Sequence, residues 1–345
     1  MGVRDAEPRD NDALIALELT AAQGTGIRLS TRRTDYFCRA AQFPGHILLV
    51  GEDDKTGQLQ GVMGAAPVRV RYGGEDHKGA YIFDWRSAQG TAKGLSLAMF
   101  RLWQQLEKRL LAEGVEFLFG YVKKDNVRSA GILQRVGTRI VGTRDFFVLP
   151  VFRTLRVRRP VELVPPGELK WSEDWGRLAD RFGRWDLFPV REDGEGKPLF
   201  DARCLRGQLR SGESRAKIWD DSTQQARVVV DLPRVFRLAG SVAATLSRAI
   251  PLPRVPLPGE TVRTWELFDL EMADPDEITA LVAYANNLAR SEGVDYLVVS
   301  ADSGEPELRR AGRGSLYTLT YYLFVKEYAS LPPRGEKAYL DIRCI

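Results

Sequence analysis

The residues between Arg86 and Ser96 have the types and spacing of an anion site. The stretch reads RSAQGTAKGLS, so small residues dominate it and one lysine adds a positive charge. It joins a short strand to a long helix, and the first N–H groups of a helix have no partner inside that helix. Together with the positive end of the helix dipole, such N–H groups suit a phosphate or pyrophosphate. A helix start that is only softened by glycine is the structural alternative.

A carboxylate stands directly before this stretch, where Asp84 ends the preceding strand. It is a candidate to take a proton from an incoming ammonium, directly or through water, and a raised pKa in a partly buried site would suit that task. The same pair, Phe followed by Asp, recurs as Phe268 and Asp269 ahead of a second long helix. The alternative is that both aspartates cap a turn or a helix start.

Alternating strand and helix patterns position these residues. Two apolar runs, Ile47–Glu52 and Leu59–Gly64, flank a turn-rich linker and predict a hairpin. Apolar residues at helical spacing predict a helix over residues 94–113, which ends at Gly114. A shorter helix is expected over residues 34–41. The order of elements predicts strands and helices on one mixed sheet.

The second half of the chain repeats the first. Leu133–Gly137 matches Leu308–Gly312, and Phe146–Leu149 matches Tyr321–Phe324, both at an offset of 175 residues. Because several matches occur in the same order, we interpret the chain as two copies of one fold. Coincidence between two αβ units of similar order is the alternative.

Composition and charge exclude several classes of protein. The chain has 345 residues, 44% hydrophobic and 28% charged, which is typical of a folded globular protein rather than a disordered or rod-like one. The net charge of +4 is small and does not indicate a nucleic-acid partner. Three cysteines and two histidines are too few and too scattered for a metal site, so no metal is expected. Without a membrane-length apolar run or a secretory signal, we expect a cytoplasmic protein with no membrane contact.

Residues 1 to about 150 resemble the GNAT (GCN5-related) N-acyltransferase family. The family signature Q/R-x-x-G-x-G/A is partly matched in two registers, whose candidate cofactor-binding residues are Gln89, Thr91, Ala92, Lys93, Gly94, Leu95 and Ser96. After the next strand the family has an Asn, then a Ser or Ala three residues later, then a Gly eleven residues after the Asn. Asn126, Ser129 and Gly137 have this spacing.

The resemblance implies an α+β fold, a mixed αβα sandwich in which helices flank a mostly antiparallel, twisted sheet. It implies an acyl-CoA site with the pyrophosphate at the helix start, the pantetheine between two parted strands, and Asn126 near the pantetheine arm. Backbone N–H groups of the parted strand would polarise the thioester carbonyl. Many members have a tyrosine seven residues after the Asn that protonates the leaving thiolate, but this chain has Leu133 there. Tyr121 is the candidate substitute, and packing is its alternative role.

The predicted organisation is a tandem of two GNAT-like domains. We expect an acyl-CoA-binding domain over residues 1–152, a proline-rich linker over 153–170 and a degenerate GNAT-like domain over 171–345. In the second copy the counterpart of the anion-binding stretch, Leu270–Glu277, is acidic and would repel pyrophosphate. We therefore expect the second copy to support the first and to wall the acceptor cleft.

The activity that follows is transfer of an acetyl or short acyl group from acetyl-CoA, or another acyl-CoA, to a primary amine. Asp84 and Tyr121 are the catalytic candidates, and the acceptor is a small molecule or a peptide. Two alternatives stay open: a catalytically degenerate acyl-CoA-binding or interaction module, and a transferase that uses aminoacyl-tRNA. The balanced charge disfavours the second, because RNA binding needs a large basic face. A homodimer is left open.

Overall fold

The structure is a computed structural model that describes residues 2–20, 27–88, 97–191, 197–235, 237 and 252–344. Its main feature is one twelve-stranded sheet that runs through both halves of the chain. In pairing order the strands are β1 (Gly2–Asp5), β3 (Ile47–Glu52), β4 (Leu59–Tyr72), β5 (Glu75–Ser87), β6 (Phe117–Lys123), β15 (Tyr317–Glu327), β7 (Arg139–Pro150), β14 (Tyr296–Asp302), β13 (Thr264–Glu271), β10 (Ser214–Trp219), β9 (Leu205–Ser211) and β8 (Glu162–Val164). Within the described ranges, β5 with β6 and β13 with β14 are parallel and the other neighbours are antiparallel. The predicted α+β class is confirmed.

Helices cover both faces of this sheet. They are α1 (Asn11–Thr20), α2 (Leu97–Ala112), α3 (Val127–Arg135), α4 (Trp171–Phe182) and α5 (Pro275–Ser291). Helices α2, α3 and α5 pack on one face through apolar stripes, such as the buried Leu102 and Leu106 of α2. Helices α1 and α4 lie on the opposite face, which carries Tyr81, Tyr121 and Glu266. We call this opposite face the cavity face.

The two halves exchange strands in the middle of the sheet. Strand β15 of the second half lies beside β6, and β7 of the first half lies beside β14. Strands β7 and β15 pair with each other, with Asp145 directly opposite Thr320. These residues are 175 positions apart, and Thr320 Oγ1 donates a hydrogen bond to Asp145 Oδ1 at 2.7 Å. The two halves therefore share one sheet, while the domain boundary at residue 152 stays a prediction.

Asp84 and Asp269 occupy equivalent positions in the two halves. Each follows the short stretch over which its strand pairs in parallel. Both have left-handed backbone, with φ of 50° and 48°, a conformation that aspartate tolerates better than most residues with a side chain. Each also meets a buried cation, because Arg33 binds Asp84 and Lys217 Nζ donates to Asp269 at 2.7 Å.

A three-stranded sheet lies over the cavity face. In order, its strands are β12 (Thr261–Val262), β11 (Gln225–Asp231) and β2 (Arg28–Arg33), so it also combines both halves. Two buried ion pairs join it to the large sheet. Arg33 of β2 donates to both carboxylate oxygens of Asp84 at 2.7 Å, and Arg227 of β11 donates to Glu266 Oε1 at 2.6 Å. Charged groups are seldom buried unless paired, so these contacts fix the spacing of the two sheets.

Local predictions differ in their outcome. The hairpin is confirmed as β3 and β4, and the long helix as α2, although its predicted start at residues 94–96 lies outside the described residues. The helix predicted over residues 34–41 is wrong, because this segment forms two short 3-10 helices, Tyr36–Cys38 and Ala40–Gln42. Asp35 accepts a hydrogen bond from the Phe37 N–H there, a local bond that competes with a helix. The expected linker contains β8.

The ion pair between Asp84 and Arg33 predicts a large loss of stability in the variant Asp84→Asn. Asparagine tolerates left-handed backbone, so the substitution removes the charge and leaves the buried Arg33 with only its longer ion pair to Glu18, at 3.2 Å. We expect the free energy of unfolding to fall by about 3–5 kcal/mol, measured by chemical denaturation.

The matched control is Asp76→Asn on the same strand, where Asp76 forms a more exposed pair with Arg71 at 2.8 Å. We expect a loss of about 1 kcal/mol or less there. An Asp84→Asn protein that is as stable as the wild type would contradict the structural role of this carboxylate.

Candidate active site

The parallel strands β5 and β6 separate in the middle of the sheet. They pair over Gly79–Tyr81 and Phe117–Phe119, although both strands continue for several residues. A cavity of about 850 Å³ opens at this separation, a volume within the range of small-molecule sites. Its lining includes Ile82 and Val122, which belong to the core beneath α2, as well as residues of the cavity face. The cavity therefore passes through the sheet.

Charged side chains line the cavity unevenly. Among the described residues, seven are basic, namely Arg28, Arg33, Arg39, Arg86, Lys123, Arg128 and Arg227, and four are acidic, namely Glu18, Asp84, Asp125 and Glu266. Near β5, Arg39 Nη1 lies 3.6 Å from Asp84 Oδ1, and Arg86 Nη2 lies 3.6 Å from Glu18 Oε1. Basic groups therefore outnumber acidic ones at this end of the cavity, which suits an anionic ligand.

Asp84 lacks the property expected of a general base. Burial by itself raises the pKa of Asp84, but the charge of Arg33 and its two hydrogen bonds outweigh burial and hold this pKa well below its ordinary value. The expectation of a raised pKa is wrong for this reason. The geometry favours a structural role for Asp84, like that of Asp269, as a buried counter-ion and not as the cap of a turn or a helix start.

Tyr121 lies on β6 and lines the cavity. Burial raises the pKa of its phenol to about 12, against the opposing charge of Arg144. The phenol is therefore protonated at neutral pH, which is the state that a proton donor needs. Tyr121 also packs against the core that contains Tyr81 and Phe119, so its position is compatible with both of its predicted roles.

Asn126 and Ser129 line the cavity at the start of α3. Asn126 Oδ1 accepts a hydrogen bond from the Ser129 N–H at 3.2 Å and so caps this helix. The spacing that matches the family signature is therefore also that of a helix cap. The other predicted cofactor residues, Gln89 and Thr91 to Ser96, lie outside the described residues. Ala88 and Met99, on either side of them, line the cavity.

Sequence reasoning missed Arg33 and Arg227 together with the carboxylates Glu18 and Glu266. One signal was available, because Glu266 stands within TWELFDLE, a strand whose eight residues are all buried. A buried charge needs a partner, but the sequence does not say which. Arg33 lies 51 positions from Asp84, and Arg227 lies 39 positions from Glu266. Only the arrangement of the two sheets brings these pairs together.

Two kinds of feature are absent from the part of the chain that the structure describes. No group of three or more His, Cys, Asp and Glu side chains there is placed to hold a metal ion. No helix there combines the length and the apolar character needed to cross a membrane.

Comparisons with known proteins find likeness in structure but not in sequence. No family model and no curated protein sequence matches the chain. The N-myristoyltransferase of Saccharomyces cerevisiae, solved with bound myristoyl-CoA, matches with a TM-score of 0.61 and 11% identity, over 99% of this chain and 85% of that chain. A conserved protein of unknown function from Enterococcus faecalis matches with a TM-score of 0.50 and 13% identity, over 94% of this chain and 72% of that one. A GCN5-related N-acetyltransferase from Kribbella flavida has a TM-score of 0.49 and 11% identity, over 94% and 70%.

At identities this low, structural similarity shows a shared fold and does not show a shared activity. The match to the yeast enzyme spans nearly the whole chain and so includes both halves. The mostly antiparallel sheet and the parting of parallel strands β5 and β6 are the features that the sequence resemblance implied. The chain therefore shares the fold of the yeast enzyme over both of its halves.

Proposed function

We propose that the chain is an N-acyltransferase that moves an acetyl or short acyl group from acyl-CoA to a primary amine by direct transfer. The observation that carries this proposal is the cavity that passes between β5 and β6 and has a surplus of basic side chains at that end. Acyl-CoA is a long anionic ligand, and such a passage suits its pantetheine arm. The fold shared with N-myristoyltransferase, solved with bound myristoyl-CoA, supports the proposal. A cytoplasmic location stays a prediction.

Direct transfer needs the thioester and the amine side by side in one cavity. The amine nitrogen attacks the thioester carbon, a C–N bond forms, the C–S bond breaks, and the thiolate takes up the proton that nitrogen loses. Beyond Tyr81, β5 makes no ladder bonds to β6, so its backbone N–H groups on that side are placed to polarise the carbonyl oxygen. In this proposal Tyr121 gives its proton to the thiolate and is reprotonated by the proton that the amine nitrogen loses, and Asp84 holds Arg33 in place.

Titration with CoA and a turnover assay test the proposal together. We expect the chain to bind CoA and to acetylate members of a broad panel of primary amines in the presence of acetyl-CoA. CoA binding without turnover on that panel supports the alternative of a catalytically degenerate module. A chain that does not bind CoA at all contradicts both functions.

The variant Gly94→Glu tests the anion-binding stretch that the sequence predicts. A carboxylate placed where the pyrophosphate is expected repels it, so we expect the dissociation constant for CoA to rise by about tenfold or more. The control is Gln104→Glu, which adds the same charge to an exposed position of α2 outside the cavity lining. Equal CoA affinity of the two folded variants would remove the predicted site.

Two substitutions at Asn126 separate a helix cap from a cofactor contact. Asn126→Asp keeps a good capping residue but removes the amide donor, whereas Asn126→Ala costs about 1 kcal/mol of stability because the cap is lost. If Asn126 contacts the pantetheine, Asn126→Asp weakens CoA binding while the melting temperature stays near that of the wild type. Unchanged CoA affinity in Asn126→Asp would leave capping as the role of this residue.

The variant Tyr121→Phe tests the proton donor. Loss of the hydroxyl removes general-acid assistance, so we expect kcat to fall by about a hundredfold while CoA affinity is unchanged. Tyr321→Phe is the matched control, since Tyr321 lines the same cavity on the neighbouring strand β15. A similar kcat for both variants would assign Tyr121 to packing.

A further inference from the structure

The cavity has a second end, between the large sheet and the three-stranded sheet. Apolar side chains line this end, and they are Val148, Val229, Leu232, Val255, Val262, Tyr296, Val298, Leu316 and Leu319. Most of them belong to the second half of the chain. This end is lined mainly by strands other than β5 and β6, between which acyl-CoA is proposed to lie, so it is open to the acceptor.

Two polar side chains beside this apolar end each have one oxygen atom without a hydrogen-bond partner among the described residues. Glu266 is 5% exposed and Thr264 is 8% exposed, and both line the cavity from alternate positions of β13. Glu266 Oε1 accepts from Arg227, but Glu266 Oε2 and Thr264 Oγ1 have no hydrogen-bond partner among the described residues. A buried polar atom without a partner is costly, and a ligand that donates hydrogen bonds removes that cost.

Glu266 lies among balanced charges. Arg227 is shared, since it also donates to Asp221 Oδ1 at 2.8 Å, and Arg39 acts on Glu266 from further away. Among the described residues, Tyr321 faces this site from across the cavity. Near Asp84, by contrast, Arg33, Arg39 and Arg86 face the two carboxylates of Asp84 and Glu18. The end of the cavity near Asp84 is therefore the more basic of the two.

We propose that the acceptor is a primary amine carried on an apolar group, with its ammonium held by Glu266 and Thr264 and its apolar body in the second end of the cavity. This inference rests on the proposed acyltransferase function. An ammonium has three N–H donors and one positive charge, which match the two orphaned oxygen atoms and the carboxylate of Glu266. An acyl tail would leave both oxygen atoms unsatisfied.

Simple amines test the proposal without turnover. We expect hexylammonium to bind the full chain about tenfold tighter than hexanol, as a charge-assisted hydrogen bond in a buried site predicts. We expect methylammonium to bind about a hundredfold more weakly than hexylammonium, because it lacks the buried methylenes. Calorimetric titration of the wild-type chain measures both ratios. Equal binding of hexanol and hexylammonium, or no binding of either, overturns the proposal.

The variant Glu266→Gln removes the charge but keeps an oxygen for Arg227. It should abolish the preference for hexylammonium over hexanol, whereas Glu305→Gln should keep it. Glu305 is also 5% exposed but does not line the cavity. Burial raises the pKa of Glu266 to about 7, so binding of hexylammonium should strengthen as the pH rises through that value in the wild type and stay flat in Glu266→Gln. A preference that survives in Glu266→Gln overturns the proposal.

CoA titrations on the same preparations separate this inference from the proposed function. If CoA binding and turnover are normal but hexylammonium binds no tighter than hexanol, this inference is wrong and the proposed function is supported. If hexylammonium binds tighter than hexanol in a way that depends on Glu266, but the chain does not bind CoA, the acyltransferase function is wrong and the amine site is supported.

Discussion

Charges that folding buries between the two sheets must find partners, and this requirement shapes the molecule. The three-stranded sheet supplies arginines, and the large sheet supplies carboxylates. Arg33 meets Asp84 near one end of the cavity, and Arg227 meets Glu266 near the other. Removing one partner of such a buried pair costs about 3–5 kcal/mol, so the two sheets are held at a fixed distance. The space between these two attachments is the cavity.

Because the two halves exchange strands, residues of both halves line this cavity. Strands β7 and β15 cross from one half to the other, and residues of both, such as Phe146 and Tyr321, line the cavity. The cover is shared too, because β2 pairs with β11. Neither half alone supplies both the strands of the large sheet and the strands of the three-stranded sheet that enclose the cavity. A second copy that lacks the glycine-containing stretch is thus still required to form the cavity.

Local patterns allowed parts of this arrangement to be predicted. The stripe of α2 and the hairpin of β3 and β4 depend on residues close together, and the structure shows both. The ion pairs depend on contacts between distant strands, which periodicity does not encode. Asp84 was therefore recognised as either a candidate base or a structural carboxylate, and its partner Arg33 is visible only after the sheets are assembled.

The duplicated fold places residues of the two halves at equivalent positions. Where the residue types at these positions differ, the chemistry of the two halves differs as well. Tyr81 and Glu266 are each the third residue of the parallel segment in their half. Tyr81 is satisfied internally, because Arg39 donates to its hydroxyl and that hydroxyl donates to the Cys344 carbonyl. Glu266 keeps one oxygen without a partner among the described residues. One end of the cavity is thus rich in cations, while the other presents a carboxylate beside an apolar wall. In the proposed reaction, such an asymmetry would let one cavity hold an anionic donor and an amine acceptor in a single orientation.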